Sequence, residues 1–186
     1  MLRSALARRF NSTVSAASKA PEVIYTGPMA NVAKKLKLFS ITSLGLGVGI
    51  SPFVYLIDVP VPFIAKTALV GAAVATSAAS TGLIQWVMSP YVTKITQSSP
   101  DQVTLHTLSF LAKEHTTTVP VDALAPATRI FTSLMVQDPS QAKAQLVASG
   151  KPAKPKTLFY VHPELCEEEG TPIKNIVDKT GIGKGF

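Results

Sequence analysis

From Leu38 to Ile57 the chain runs twenty residues without a charge, and from Thr67 to Thr93 a further twenty-seven. At 1.5 Å per helical residue the first run reaches about 30 Å, the thickness of a bilayer's hydrocarbon core. The second is long enough to cross with tilt. Between them stands Asp58-Val59-Pro60-Val61-Pro62-Phe63, closed by Lys66. Each proline fixes φ and lacks an N–H, and pushes its predecessor toward extended backbone, so the first helix cannot continue through it. The pattern predicts an antiparallel transmembrane hairpin: helix one at 38–57, a turn at 58–66, helix two at 67–93. Pro52 predicts a kink in the first helix. Tyr55, Trp86 and Tyr91 fall near span ends, where amphipathic rings prefer to sit. The competing reading is a pair of core helices in a soluble protein. Two adjacent runs of this length in so short a chain weigh against it.

After Thr93 the pattern turns mixed. Val103–Lys113 (VTLHTLSFLAK) has the β-branched content and partial alternation of a strand. His115–Val121 is a second candidate, with Pro120 at its edge or end. Arg129–Val136 (RIFTSLMV) is a third and Thr157–Val161 a fourth. Asp138-Pro139 before SQAKAQLVAS and Gly150 carries helix start and stop signals. Lys151–Lys156 (KPAKPK) reads as a solvated linker. These elements predict a small strand-rich α+β domain over 94–165 and a flexible tail over 166–186. The expected fold is thus an α+β membrane protein, a hairpin followed by a small domain.

Charge supplies an address and an orientation. Residues 1–20, MLRSALARRFNSTVSAASKA, have four basic residues and no acid. Leu2, Leu6 and Phe10 share one helical face, the mark of a mitochondrial transit peptide. Arg8-Arg9-Phe10 resembles a processing site. Residues 21–37 lead into the first span and end in Lys34, Lys35 and Lys37, with Lys94 beyond the second span. The turn carries only Asp58 and Lys66. A Lys-rich flank marks the side from which the spans were inserted, so both termini are expected in the matrix and the turn in the intermembrane space. Only 16% of residues are charged, against 46% hydrophobic, well short of the roughly 25% charged in ordinary globular domains. The net charge of +7 is concentrated in the leader and the span flanks, which argues against nucleic-acid binding.

Small residues crowd the spans. Gly45 and Gly49 form a small-xxx-small pair, and Gly71, Ala75, Ala79 and Gly82 recur along the second helix. Such residues let helix backbones approach closely. They serve either the hairpin's own packing or helices of another protein. Ser77, Ser80, Thr81 and Gln85 add polar groups that want partners across an interface. No ionisable residue lies mid-span, which argues against a proton relay.

Reactive chemistry is sparse. His162 and Cys166, with His106 and His115 upstream, lack the paired short spacing of a structural zinc site. Glu167-Glu168-Glu169 is a solvated run without converging ligands. Gly181-Ile182-Gly183-Lys184-Gly185 does not follow a strand and open a helix, as a phosphate loop must. No nucleophile–base pair is legible, and no cofactor is expected. The expectation is a protein that is not an enzyme.

The motif Ile24-Tyr25-Thr26-Gly27-Pro28-Met29-Ala30, then Lys37-Leu38-Phe39-Ser40 opening a span, a Pro-containing turn, a second span, and Tyr91-Val92 leading into strands resembles the transmembrane protein 70 family, with its relatives transmembrane proteins 186 and 223. The likeness covers residues 23–136. It implies a mitochondrial inner-membrane assembly factor with no catalytic residues, helping to build ATP synthase or the membrane arm of complex I. The resemblance implies subunits of those complexes as partners; the spans add inner-membrane lipid, and self-association is a further partner expectation. A permanent accessory subunit of an inner-membrane complex is the alternative function. Tyr25, Thr26 and Gly27 suit a turn in which Gly27 permits positive φ and Pro28 begins a helix.

Overall fold

The computed structural model describes residues 21–166 and 172–181. A short strand, β1 (Glu22–Thr26), precedes helix α1 (Ala30–Ile50). A break at Ser51-Pro52 leads to the single turn α2 (Phe53–Leu56), and helix α3 (Phe63–Val87) returns. Then come β2 (Val92–Ser99), β3 (Gln102–Leu108) and β4 (Glu114–Pro120), the short β5 (Leu124–Pro126) and β6 (Leu134–Val136), and β7 (Lys143–Leu146), β8 (Lys151–Pro152) and β9 (Leu158–Phe159). Helix α4 (Pro172–Thr180) follows. The protein is therefore a helical hairpin joined to a strand-rich domain. The leader at 1–20 and the acidic run at 167–169 lie outside the described residues.

The hairpin buries little. Both apolar helices have only 6% of their most hydrophobic window buried, the reverse of a soluble core helix. Phe39, Leu46, Phe53, Leu56, Phe63, Ile64 and Leu69 all face outward. An apolar surface of this size is stable only in an apolar solvent. The kink expected at Pro52 is present as the interruption before α2. The Pro-Val-Pro segment is non-helical, and the Lys66 ammonium ties it down by donating to the Ile57 carbonyl at 2.7 Å.

The span boundaries differ from those the sequence suggests. Helix α1 begins at Ala30, eight residues ahead of Leu38, because its first turns pack on the sheet domain. Helix α3 stops at Val87 rather than Thr93. Ser89-Pro90 ends it, and Tyr91-Val92 already belong to the sheet: the Val92 N–H donates to the Tyr160 carbonyl at 3.0 Å. Tyr91 is accordingly a buried residue at 6% exposure, not an interfacial ring.

The main sheet runs β1-β2-β3-β4-β7-β8, antiparallel throughout, and a second sheet runs β5-β6-β9. Register explains its two faces. Ile95 pairs with Leu105 and Leu105 with Thr117; Val103 pairs with Val119. These side chains point inward under the second sheet and α4. The opposite face carries polar pairs, such as Thr104 with Thr118 at 2.9 Å and Thr96 with His106 at 3.0 Å. Alternation of period two does this without further instruction.

Four local expectations are corrected by long-range pairing. Arg129–Val136 is strand only from Leu134. Residues 129–132 form a tight turn, closed by Thr132 N–H on the Arg129 carbonyl at 3.0 Å, with Phe131 at φ +59. Downstream, Asp138 does cap a turn, accepting from the Ser140 N–H at 3.0 Å. The helix it announces is one turn long, Pro139–Gln141. Residues 143–146 instead extend the sheet beside β4, pairing Gln145 with Thr116. The supposed linker 151–156 supplies β8 and a half-buried Lys156. Finally, the tail expected over 166–186 is not free: Cys166, Ile173, Ile176 and Val177 are buried in the core. Ile173, Ile176, Val177 and Thr180 lie on one stripe of α4, which closes over Val103, Leu105 and Leu124.

Candidate functional site

The Tyr25-Thr26-Gly27 motif is where the domain meets the hairpin. Tyr25 and Thr26 form the end of β1 rather than a turn, pairing with Ile95 and Lys94. Tyr25 is core, and its hydroxyl accepts from the His162 N–H at 3.2 Å. Burial pushes its phenol up to about 12. Gly27 does not have positive φ. It is glycine because the chain passes within contact of β2: a Cβ there would lie 2.5 Å from the Val92 carbonyl oxygen and 2.8 Å from the Tyr91 hydroxyl. That hydroxyl in turn accepts from the Met29 N–H at 2.9 Å, at the start of α1. The motif thus fixes the direction in which the first helix leaves the sheet.

Two lysines fasten the other side of the junction. Lys37 flanks the first span in the sequence, yet it is 1% exposed. Its ammonium donates to the Leu108 carbonyl at 3.3 Å and the Ser109 carbonyl at 3.2 Å. Lys156 donates to the Ser89 carbonyl at 2.7 Å and to the same Leu108 carbonyl at 3.1 Å. Burial, and secondarily the Lys37 charge, push the Lys156 ammonium down to about 8. Among the described residues neither lysine has an acidic partner. A buried cation without a counter-ion is expensive unless carbonyls or an anion compensate. Hydropathy could not find these residues; only the fold brings 37, 89, 108 and 156 together. Around them Tyr91 packs against Tyr160, ring centres 6.3 Å apart, and against His162 at 5.9 Å.

The hairpin's internal seam is polar near this base. Thr81 donates to the Ser40 carbonyl at 3.1 Å. One turn further toward the base on α3, the Gln85 amide is buried with no hydrogen bond at either end. The seam residues of α3 (Val70, Val74, Ser77, Thr81, Gln85) recur every three or four positions. The small residues singled out from sequence lie off that stripe. Gly45, Gly49, Gly71, Ala75, Ala79 and Gly82 are all exposed, and a Cβ on any of the four glycines would meet nothing within 4 Å. Close approach of α1 to α3 therefore does not require them.

The sparse reactive groups stay apart. His106 pairs with Glu114 on the outer face. His115, on β4, is buried, its Nε2 at 3.2 Å from the Lys154 carbonyl. Burial and the Lys156 charge hold its imidazole below the usual range. Cys166 lies in the core, and its thiol donates to the His162 carbonyl at 3.2 Å. Among the described residues no three His, Cys, Asp or Glu side chains converge.

Comparison with known proteins agrees with this architecture. An uncharacterized protein of Schizosaccharomyces pombe is 29% identical over 157 residues, covering 83% of this chain and 78% of that one. A family profile matches residues 20–141, from just ahead of β1 through both helices and on through β6, stopping just short of β7. The matched segment includes the Gly27 contact, the buried Lys37 and the exposed glycine faces. Membership and the two lipid-length helices together fit a membrane-associated mitochondrial protein. The chain belongs to the TMEM70/TMEM186/TMEM223 protein family.

Proposed function

We propose that the protein is a non-enzymatic assembly factor of the mitochondrial inner membrane, shielding transmembrane helices of ATP synthase or complex I subunits before they are built in. One observation carries this reading: the glycine and alanine faces of α1 and α3 are open and unused by the hairpin's own packing. In a bilayer, helix association rests on close backbone contact at small residues, and free faces of this kind are what an incoming helix would pack on. The Lys-rich base supports an orientation with the sheet domain and both termini in the matrix, where the domain would meet the matrix-exposed parts of the same intermediate.

The test is deletion of the gene followed by native gels, with Gly45→Leu and Gly49→Leu chains reintroduced. Loss of ATP synthase or complex I, and reduced co-purification of membrane subunits with the Leu variants, are expected. Normal levels of both complexes would refute the reading. Stoichiometric retention in a finished complex would favour an accessory subunit instead.

A further inference from the structure

At the foot of α3 is a cavity of about 320 Å³, bounded by Trp86, Ser89, the 129–132 turn and residues 155–158. Its charged lining residues are Arg129 and Lys156; no acid lines it. Lys156 spends two N–H groups on the Ser89 and Leu108 carbonyls, which leaves one for a ligand. Arg129 has no ion pair among the described residues. Its carbonyl accepts from both the N–H and the hydroxyl of Thr132, at 3.0 and 2.7 Å, and this holds the turn shut.

The rim is apolar and faces outward. Ile130 is 75% exposed, Phe131 51% and Trp86 65%. Phe131 sits in left-handed backbone, an arrangement a bulky residue avoids unless something repays it. Its ring meets Trp86 edge-on at 6.3 Å. Leu83, one turn up the same side of α3, is also outward-facing. A basic hole therefore opens beside an aromatic rim at the end of a membrane-length helix. This is the level at which phosphates lie above acyl chains.

We propose that this cavity binds the headgroup phosphate of an anionic phospholipid, with Arg129 and Lys156 as its cationic ligands and its acyl chains lying against Trp86 and Leu83. The occupant is a lipid rather than a free anion because the apolar rim is continuous with the lipid-facing side of α3. Basic side chains near a bilayer surface each improve binding of anionic lipid roughly fivefold, and fixed geometry makes the gain local.

Trp86 is the sole tryptophan, so its fluorescence reports the site directly. The full chain is placed in phosphatidylcholine bilayers containing a small fraction of acyl-brominated phosphatidylglycerol or, separately, the same fraction of brominated phosphatidylcholine. With two such ligands, brominated phosphatidylglycerol is expected to quench at roughly twenty-five-fold lower mole fraction. Arg129→Gln, at an exposed position that leaves the fold intact, is expected to cut that preference about fivefold; Lys156→Gln is expected to cut it further. Millimolar inorganic phosphate is expected to change nothing. Equal quenching by the two lipids, or a preference untouched by Arg129→Gln, overturns the proposal. Displacement of the brominated lipid by inorganic phosphate would show a free-anion site and overturn the lipid assignment.

Discussion

Replacing Gly27 with alanine isolates the contact that aims the first helix. The new Cβ would stand 2.5 Å from the Val92 carbonyl oxygen, closer than real Cβ atoms come. Neither side yields easily. Val92 is fully buried, and its N–H is held by the Tyr160 carbonyl; the Gly27 N–H is held by the Thr93 carbonyl at 2.9 Å. Relief requires the end of β1 to move out. Overpacking of this kind costs about 1–3 kcal/mol. Weakening the Gly27–Thr93 and Met29–Tyr91 hydrogen bonds adds about 1 kcal/mol. The expected loss is about 2–4 kcal/mol, or a fall in Tm of roughly 5–15 °C. Cys166 is the only cysteine and is 2% exposed. A thiol-reactive fluorophore added during a thermal ramp in detergent therefore reads opening of the domain core. Gly45→Ala and Gly49→Ala are the controls; with nothing within 4 Å, they should stay within about 1 kcal/mol of the parent. A Gly27→Ala midpoint equal to that of the controls would refute the reasoning.

Three further outcomes are expected. Ile173→Ala, on the buried face of α4 and 3% exposed, should destabilise the domain by about 2–4 kcal/mol, and a chain ending at Cys166 should aggregate; if that shortened chain keeps the parent's thiol-labelling midpoint, α4 is not part of the core. The folded state holds the Lys156 proton less tightly than the unfolded chain, with its ammonium at about 8 against 10.5. Unfolding between those values takes up a proton, so stability should rise with pH through that window, by at most about 3 kcal/mol. A denaturant midpoint that falls from pH 8 to 10 would contradict the burial of this group. Gly45→Leu and Gly49→Leu should lower co-purification with membrane subunits without moving the domain's melting midpoint, since neither residue touches the domain; a shifted midpoint would mean that the hairpin itself needs them.

The uncharged runs, the prolines between them and the lysines before them determined the hairpin by themselves, because length and solvent preference are local properties of a helix in lipid. Alternation likewise announced β3 and β4, whose faces must differ wherever they pair. The motif Tyr25-Thr26-Gly27 was visible, but the reason for it was not: Gly27 answers to Val92, sixty-five positions away. The capping signal at Asp138 was real, and the sheet edge of β4 overrode the helix it began. The polar-looking tail became a core helix because its stripe of Ile173, Ile176 and Val177 had an apolar opening to fill. Lys37 read as a span-flanking cation and Lys156 as a solvated one in sequence, and only tertiary structure brought both to the Leu108 carbonyl. Periodicity fixes which face a residue takes; it is silent about what that face will meet, and the candidate sites of this protein are made of such meetings.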